Sequence, residues 1–186
     1  ITLDLSDETD TTSSQTVTLG GTGAHIVTLG SGTDTYTSTS TGVDTVTGTA
    51  GNNTITTGAG ADAVTVGTGV SNVSTGAGND TITSATANLV STDTINGGDG
   101  TDSLVMSNAS TVVDADFTLI TNVETLSYGN NAATVTLGAA SMAAGIATIT
   151  DGTAVTTLTV GAGHTSALTV ALSTGNDSIT GSASAA

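Results

Sequence analysis

The chain has no lysine and no arginine among its 186 residues. No basic footprint for a phosphate backbone can exist, which excludes a DNA- or RNA-binding module. There is no cysteine, so disulfide scaffolds and thiolate metal sites are excluded as well. Proline and tryptophan are also absent, and the aromatic residues are Tyr36, Phe117 and Tyr128 alone. No run approaches the roughly 20 consecutive apolar residues of a transmembrane helix, and membrane insertion is not expected. Leu, Ile and Phe are too scarce for an ordinary packed globule, because much of the 36% hydrophobic content is Ala and Val. What the chain does hold is acid, glycine and threonine: a net charge of −16, 25 glycines and 44 threonines.

High net charge with few aromatics usually signals disorder. Here charged residues make up only 9% of the chain and mean hydropathy is positive at +0.23. The dominant polar residue is threonine, a β-branched strand former. The composition is that of short strands with glycine at the corners.

A nine-residue repeat confirms that reading of the composition. Its units carry Gly at position 4, Asp at position 6 and an aliphatic at position 8. The clearest copy is residues 97–105, GGDGTDSLV. Residues 57–65 (TGAGADAVT) and 75–83 (TGAGNDTIT) follow it closely, and 29–37 (LGSGTDTYT) and 39–47 (TSTGVDTVT) are recognisable. Residues 48–56 (GTAGNNTIT) place Asn in the Asp position, and 20–28, 66–74 and 88–96 are weaker copies. Residues 84–87 are a four-residue insertion.

Positions 7 to 9 predict a strand of three residues, with position 8 inward and its neighbours outward. The expected inward residues are Val27, Tyr36, Val46, Ile55, Val64, Val73, Ile82, Ile95 and Leu104. The glycine-rich stretch turns the chain between strands. Two units then make one coil, and strands stack in parallel into two facing sheets. One unit cannot bury its single aliphatic alone, so stacking must do it.

In such a coil successive loops fall on alternate edges, and each Asp stacks on the Asp two units later. One edge carries His25, Asp44, Asp62, Asp80 and Asp102. The other carries Asp34, Asn53, Ser71 and Asp93. Facing carboxylates and loop carbonyls, with no protein cation available, suit a hard divalent ion with six to eight oxygen ligands. Calcium is that ion; magnesium demands tight octahedral geometry and keeps its waters. The first edge is expected to hold an ordered row centred on Asp44, Asp62 and Asp80, and the second few ions or none between Asp34 and Asp93. Asp99, inside the clearest copy, and Asp177, in a last unit at 172–180 (LSTGNDSIT), complete the candidate metal ligands.

At these residues the sequence resembles the RTX (repeats-in-toxin) calcium-binding β-roll family, whose nonapeptide is GGxGxDxUx with U a large aliphatic. Residues 97–105 match every defined position, and 57–65 and 75–83 lack only the first Gly. The resemblance implies calcium-induced folding, type I secretion and an extracellular, bacterial cell-surface home. It departs from the family at His25, Asn53 and Ser71. Residues 116–126, DFTLITNVETL, resemble a spacer that follows RTX blocks in surface-layer proteins and large adhesins.

The expected fold is therefore all-β: a parallel β-solenoid, with a calcium-binding RTX β-roll continuing into a less regular β-helix. Residues 1–19 form its leading edge, 20–105 the nonapeptide roll, and 106–186 an irregular continuation with strands at 134–137, 147–150, 156–160 and 168–172. A start at Ile1 and a stop in mid-repeat point to a segment of a longer protein. Asp4, Asp7, Glu8 and Asp10 are read as a solvated acidic face. Asp114, Asp116 and Glu124 are a candidate second cation site at the spacer. His25 and His164 are expected in solvent-facing loops, and one His without convergent partners is no zinc site. Catalysis is not expected, because no nucleophile has an evident base; Asp151 or Asp177 would have to reach His164. The expected function is that of a secreted, non-catalytic, calcium-stabilised building block of a surface layer, matrix or filament. Its expected partners are calcium ions, further copies of itself and cell-surface polysaccharide. An adhesin stalk and the secretion tail of an exported enzyme are the alternatives. Ice binding by Thr-X-Thr strands ranks below them, since those strands alternate between opposite sheets.

Overall fold

A computed structural model describes residues 1–8, 10–85 and 88–181 of the chain. All its strand pairs are parallel, and they form a right-through solenoid of three sheets. The first sheet has nine strands: Thr2–Asp4, His25–Thr28, Asp44–Thr47, Ala63–Thr65, Thr81–Ser84, Ser103–Met106, Thr125–Ser127, Thr148–Thr150 and Thr169–Ala171. Facing it in the first part of the chain is a six-stranded sheet of Thr16–Leu19, Thr35–Ser38, Thr54–Thr56, Asn72–Ser74, Thr94–Asn96 and Ile120–Thr121. Beyond residue 106 a four-stranded sheet of Ser110–Val112, Ala133–Leu137, Thr156–Val160 and Ser178–Gly181 takes over.

The register follows from the repeat. Val27 pairs with Val46, Val46 with Val64, Val64 with Ile82, and Ile82 with Leu104. The column continues past the nonapeptides through Leu126, Ile149 and Val170. On the second sheet Val17, Tyr36, Ile55, Val73, Ile95 and Ile120 stack in the same way. All nine expected inward residues are buried. Fully burying an aliphatic of this size contributes about 1.5–3 kcal/mol, and because each one sits on its neighbour, the core is a continuous thin seam. Two residues of the insertion, 86–87, lie outside the described residues. The coils on either side of it keep their register, with Ser103 opposite Thr81 and Met106 opposite Ser84.

Two features depart from a uniform coil. Residues Asp114–Phe117 form a 3₁₀ turn that buries Phe117, and Ala139–Ala144 form a short α-helix. The helix is made of good helix formers and ends at Gly145, whose φ of 107° supplies the left-handed cap. In the last unit Ile179 is about half exposed, although it occupies the position that is inward elsewhere. No helix among the described residues is long and apolar enough to cross a membrane.

Loops stack as tightly as strands. Ala77 bridges to Ala59 on one side and to Asp99 on the other, and N–H groups of Gly60, Ala77 and Gly78 donate to carbonyls of adjacent coils. Gly78 has a φ of 140°, and a β-carbon on it would stand 1.7 Å from the carbonyl oxygen of Gly60. Only glycine fits there. Gly23 has open space around it instead. Gly78→Ala should therefore destabilise the calcium-loaded protein by about 1–3 kcal/mol or more, whereas Gly23→Ala should stay within about 0.5 kcal/mol. Urea unfolding at fixed calcium checks this, and equal losses would refute the stacked-loop account.

Candidate metal centre

The position-6 side chains point into the loop edges of the coil, where the chain crosses between sheets. Position 6 is the last loop residue before, or the first residue of, each inner strand, so the turn carries it inside. Asp34, Asp44, Asp62, Asp80, Asp93 and Asp102 are all at most 2% exposed. One contact repeats along the first edge. The Asp44 N–H donates to Asp62 Oδ1 at 2.7 Å, Asp62 N–H to Asp80 Oδ1 at 2.7 Å, and Asp80 N–H to Asp102 Oδ1 at 2.8 Å. The Asp102 N–H then donates to Glu124 Oε2 at 2.7 Å. Each carboxylate is held by the main chain of the coil before it.

That contact uses one oxygen. The second oxygens of Asp62, Asp80 and Asp102, and both of Asp44, are buried without a hydrogen-bond partner. A buried carboxylate left without compensation is costly. Burial accordingly pushes the carboxyls of Asp62, Asp80 and Asp102 above their ordinary pKa, and neighbouring acids add to the shift. The N–H groups of the preceding coil, and for Asp62 and Asp80 the nearby hydroxyls of Thr57 and Thr75, oppose it without cancelling it.

The residues present fit a hard divalent cation. Among the described residues no three His, Cys, Asp or Glu side chains converge, so the site is not a side-chain cage. Carboxylate pairs along the edge are accompanied by loop carbonyls: that of Gly42 lies against Gly60 beside Asp62 Oδ1, and that of Gly60 against Gly78. Calcium accepts such mixed oxygen sets. Some loop carbonyls are already engaged, since the buried hydroxyls of Thr57 and Thr75 donate to the carbonyls of Thr75 and Gly97, each at 2.7 Å.

The second edge is built differently. Asp34 Oδ1 accepts from the Gln15 N–H at 2.8 Å and its Oδ2 is unpartnered, but its neighbour in the stack is Asn53, whose Oδ1 accepts from the Asp34 N–H at 3.0 Å. Asp93 has both oxygens occupied, by the N–H groups of Ser71 and Val90, each at 2.8 Å. No two acids are consecutive on this edge. Asp99 is exposed and takes part in the loop stack through its main chain. Asp177 is partly exposed and accepts from the Thr156 N–H at 2.8 Å.

Both histidines correct the expectation of solvent-facing loops. His25 is 2% exposed, because it stands at the inward position 6, and its Nδ1 lies 2.9 Å from Asp44 Oδ1 without the alignment of a hydrogen bond. It heads the acid row. The Tyr36 hydroxyl is buried nearby, and burial, then the charges of Asp44 and Asp62, raise its pKa. His164 is 7% exposed and packs on the short helix, its Nδ1 3.5 Å from Ser141 Oγ.

The three acids of the spacer do not form one site. Asp114 accepts from the N–H groups of Ala140 and Ser141, at 3.1 and 2.8 Å. These bonds outweigh its burial and hold its pKa below the ordinary range. Asp116 accepts from the Val113 N–H at 2.9 Å. Glu124 alone joins the row. Its separation from Asp102 equals that between Asp80 and Asp102, which is the signal in the sequence that marks it. At the N-terminus Asp4, Glu8 and Asp10 each accept from an N–H two residues ahead and serve as separate turn caps.

A family model described as the RTX calcium-binding nonapeptide repeat matches residues 38–73 and 91–105, in four copies. Repeats of this family bind calcium ions. No curated protein and no solved structure matches the chain.

Two measurements bear on the row. Calcium titration by calorimetry should show affinity falling roughly tenfold or more in Asp62→Ala and hardly changing in Ser71→Ala; equal losses would contradict the difference between the edges. The second concerns pH without calcium. The folded-state pKa values of Asp62, Asp80 and Asp102 lie above their unfolded values, so in that window the folded state binds more protons. Their contribution to stability is full below the ordinary carboxylate pKa and is lost as pH rises through the raised folded values. Asp114 has the opposite sign, and its contribution is lost only as pH falls through its lowered value. Circular dichroism in chelator should thus show β-structure gained on mild acidification from neutral pH; a loss over that window would contradict the assignment.

Proposed function

We propose that this chain, an all-β solenoid with RTX calcium-binding repeats wound as a β-roll, is a secreted, non-catalytic structural segment whose folding is conditional on calcium. RTX repeats are typical of secreted proteins. The observation that carries the proposal is the row of buried, half-satisfied carboxylates from Asp44 to Asp102 in a chain without Lys or Arg. A bound calcium ion supplies the positive charge and the coordination that these oxygens lack. The Asp pairs would hold it between adjacent coils, together with loop carbonyls, and so fasten one coil to the next.

Self-repulsion of a chain carrying −16 opposes coiling where free calcium is low. Extracellular calcium modules bind with dissociation constants on the order of 10⁻⁴–10⁻³ M, a range that leaves the chain open inside a cell and loaded outside it. Binding energy is then folding energy. Residues 20–105 would form the calcium-held roll, residues 1–19 its leading edge and residues 106–186 a continuation that relies more on apolar packing.

A structural role is supported by where the chemistry lies. The buried acids face loop edges and hold the coil, and the outer strand faces are rows of threonine such as Thr45 and Thr47, or Thr54 and Thr56. Regular faces of this kind suit side-by-side packing of copies in a layer or filament. Electron microscopy and small-angle scattering of the purified chain test the proposal. The expected result is an expanded chain in chelator, and rods that associate into sheets or filaments when calcium is added. Rods that remain monomeric at every concentration would overturn the assembly role and favour a stalk. A full β signal in chelator at neutral pH would overturn the calcium switch.

A further inference from the structure

We infer that the calcium row does not stop at the last nonapeptide but ends in a hybrid site between Asp102 and Glu124, taking a hard divalent cation. The inference rests on the calcium-row reading and extends it beyond the residues that match the repeat.

Glu124 reproduces the contact that defines the row. Its Oε2 accepts from the Asp102 N–H at 2.7 Å, as Asp102 Oδ1 accepts from the Asp80 N–H at 2.8 Å. The strand that follows each acid is in register, with Ser103 opposite Thr125 and Leu104 opposite Leu126. Nothing in the nonapeptide pattern asks for an acid at this point, since residues 116–126 have another sequence. The longer glutamate side chain reaches the same N–H from a loop of different shape.

The second observation is independent of the acid pair. Asp102 is 0% exposed, and its Oδ2 is buried without a partner. A carbonyl oxygen faces it. A β-carbon on Gly97 would stand 2.0 Å from the Asn122 carbonyl oxygen and 2.5 Å from Asp102 Oδ2, so both oxygens converge on the space that Gly97 leaves open. Asn122 has a φ of 53°, and it is the one non-glycine residue with positive φ among those described. Asparagine tolerates that conformation better than most residues. Its side chain is tied by Nδ2 to Asn96 Oδ1 at 2.8 Å, which fixes the turn that aims the carbonyl. The Asp102 carboxylate and the Asn122 carbonyl thus border one space at the seam between the roll and the spacer, with the Glu124 carboxylate held on the Asp102 N–H. In the coils before it, the hydroxyls of Thr57 and Thr75 stand at the position of Gly97 and donate to the next coil's carbonyl.

A cation here fastens the spacer to the roll. Native mass spectrometry at saturating calcium, on the whole chain, counts the ions. Glu124→Gln keeps an oxygen for the Asp102 N–H and removes the charge; it should carry one ion fewer than the parent. Hydrogen exchange should then quicken across residues 102–127 and stay unchanged around Asp62. Asp62→Asn, inside the row, should also lose at least one ion. Glu124→Asp keeps the charge with a shorter reach and should recover the missing ion at higher calcium. If Asp62→Asn loses an ion and Glu124→Gln keeps the full count, the hybrid site is wrong and the row stands. If neither loses one, the row itself is wrong and the hybrid site falls with it. If Glu124→Gln fails to coil, a full count in Glu124→Asp reached only at higher calcium than the parent supports the site, and a full count at the parent's own calcium requirement overturns it.

Discussion

The structure depends on one awkward interaction: a carboxylate drawn out of water and supported on only one of its oxygens. An N–H from the preceding coil satisfies that oxygen and sets the spacing between coils. The other oxygen is left in a low-dielectric edge where an unpaired charge is expensive. Apolar burial in the thin core pulls the coil together, and the edge resists. The balance between the two lies at the edge, where a proton or a metal ion would relieve the unpaired charge.

Much of this was legible in the residues. A nine-residue period with an aliphatic at position 8 can bury that aliphatic only by stacking, and the columns from Val27 to Leu104 and from Tyr36 to Ile95 do so. The division of acids between two edges follows from the same count, and the edge with consecutive acids is the one where orphaned oxygens recur from coil to coil. The four-residue insertion left the stacking of Asp80 and Asp102 intact, because extra residues can leave the coil at a loop without shifting the strands.

What was missed lay where the period lapses. Glu124 stands among the spacer acids as a candidate ligand, but with Asp114 and Asp116 as its expected partners; its distance from Asp102 is what assigns it to the row instead. The helix at Ala139–Ala144 was announced by alanines between Gly138 and Gly145, a signal that an all-β expectation overrode. The burial of His25 and His164 came from position and packing, while residue type alone pointed to the surface. Asp93 looks like its counterparts in sequence, yet its second oxygen accepts from the Val90 N–H of its own loop.

The contacts along the acid row all run one way. Every N–H belongs to the earlier coil and every carboxylate to the later one, from Asp44 through Glu124. A chain of this kind has polarity, with a histidine at its head and a glutamate at its tail. Its interior members Asp62 and Asp80 each have an aspartate above and below. Duplication of the pair of nonapeptides that carries Asp62 would leave both ends of this row as they were. Along this edge the roll can change length in evolution, or by design, in steps of one full coil.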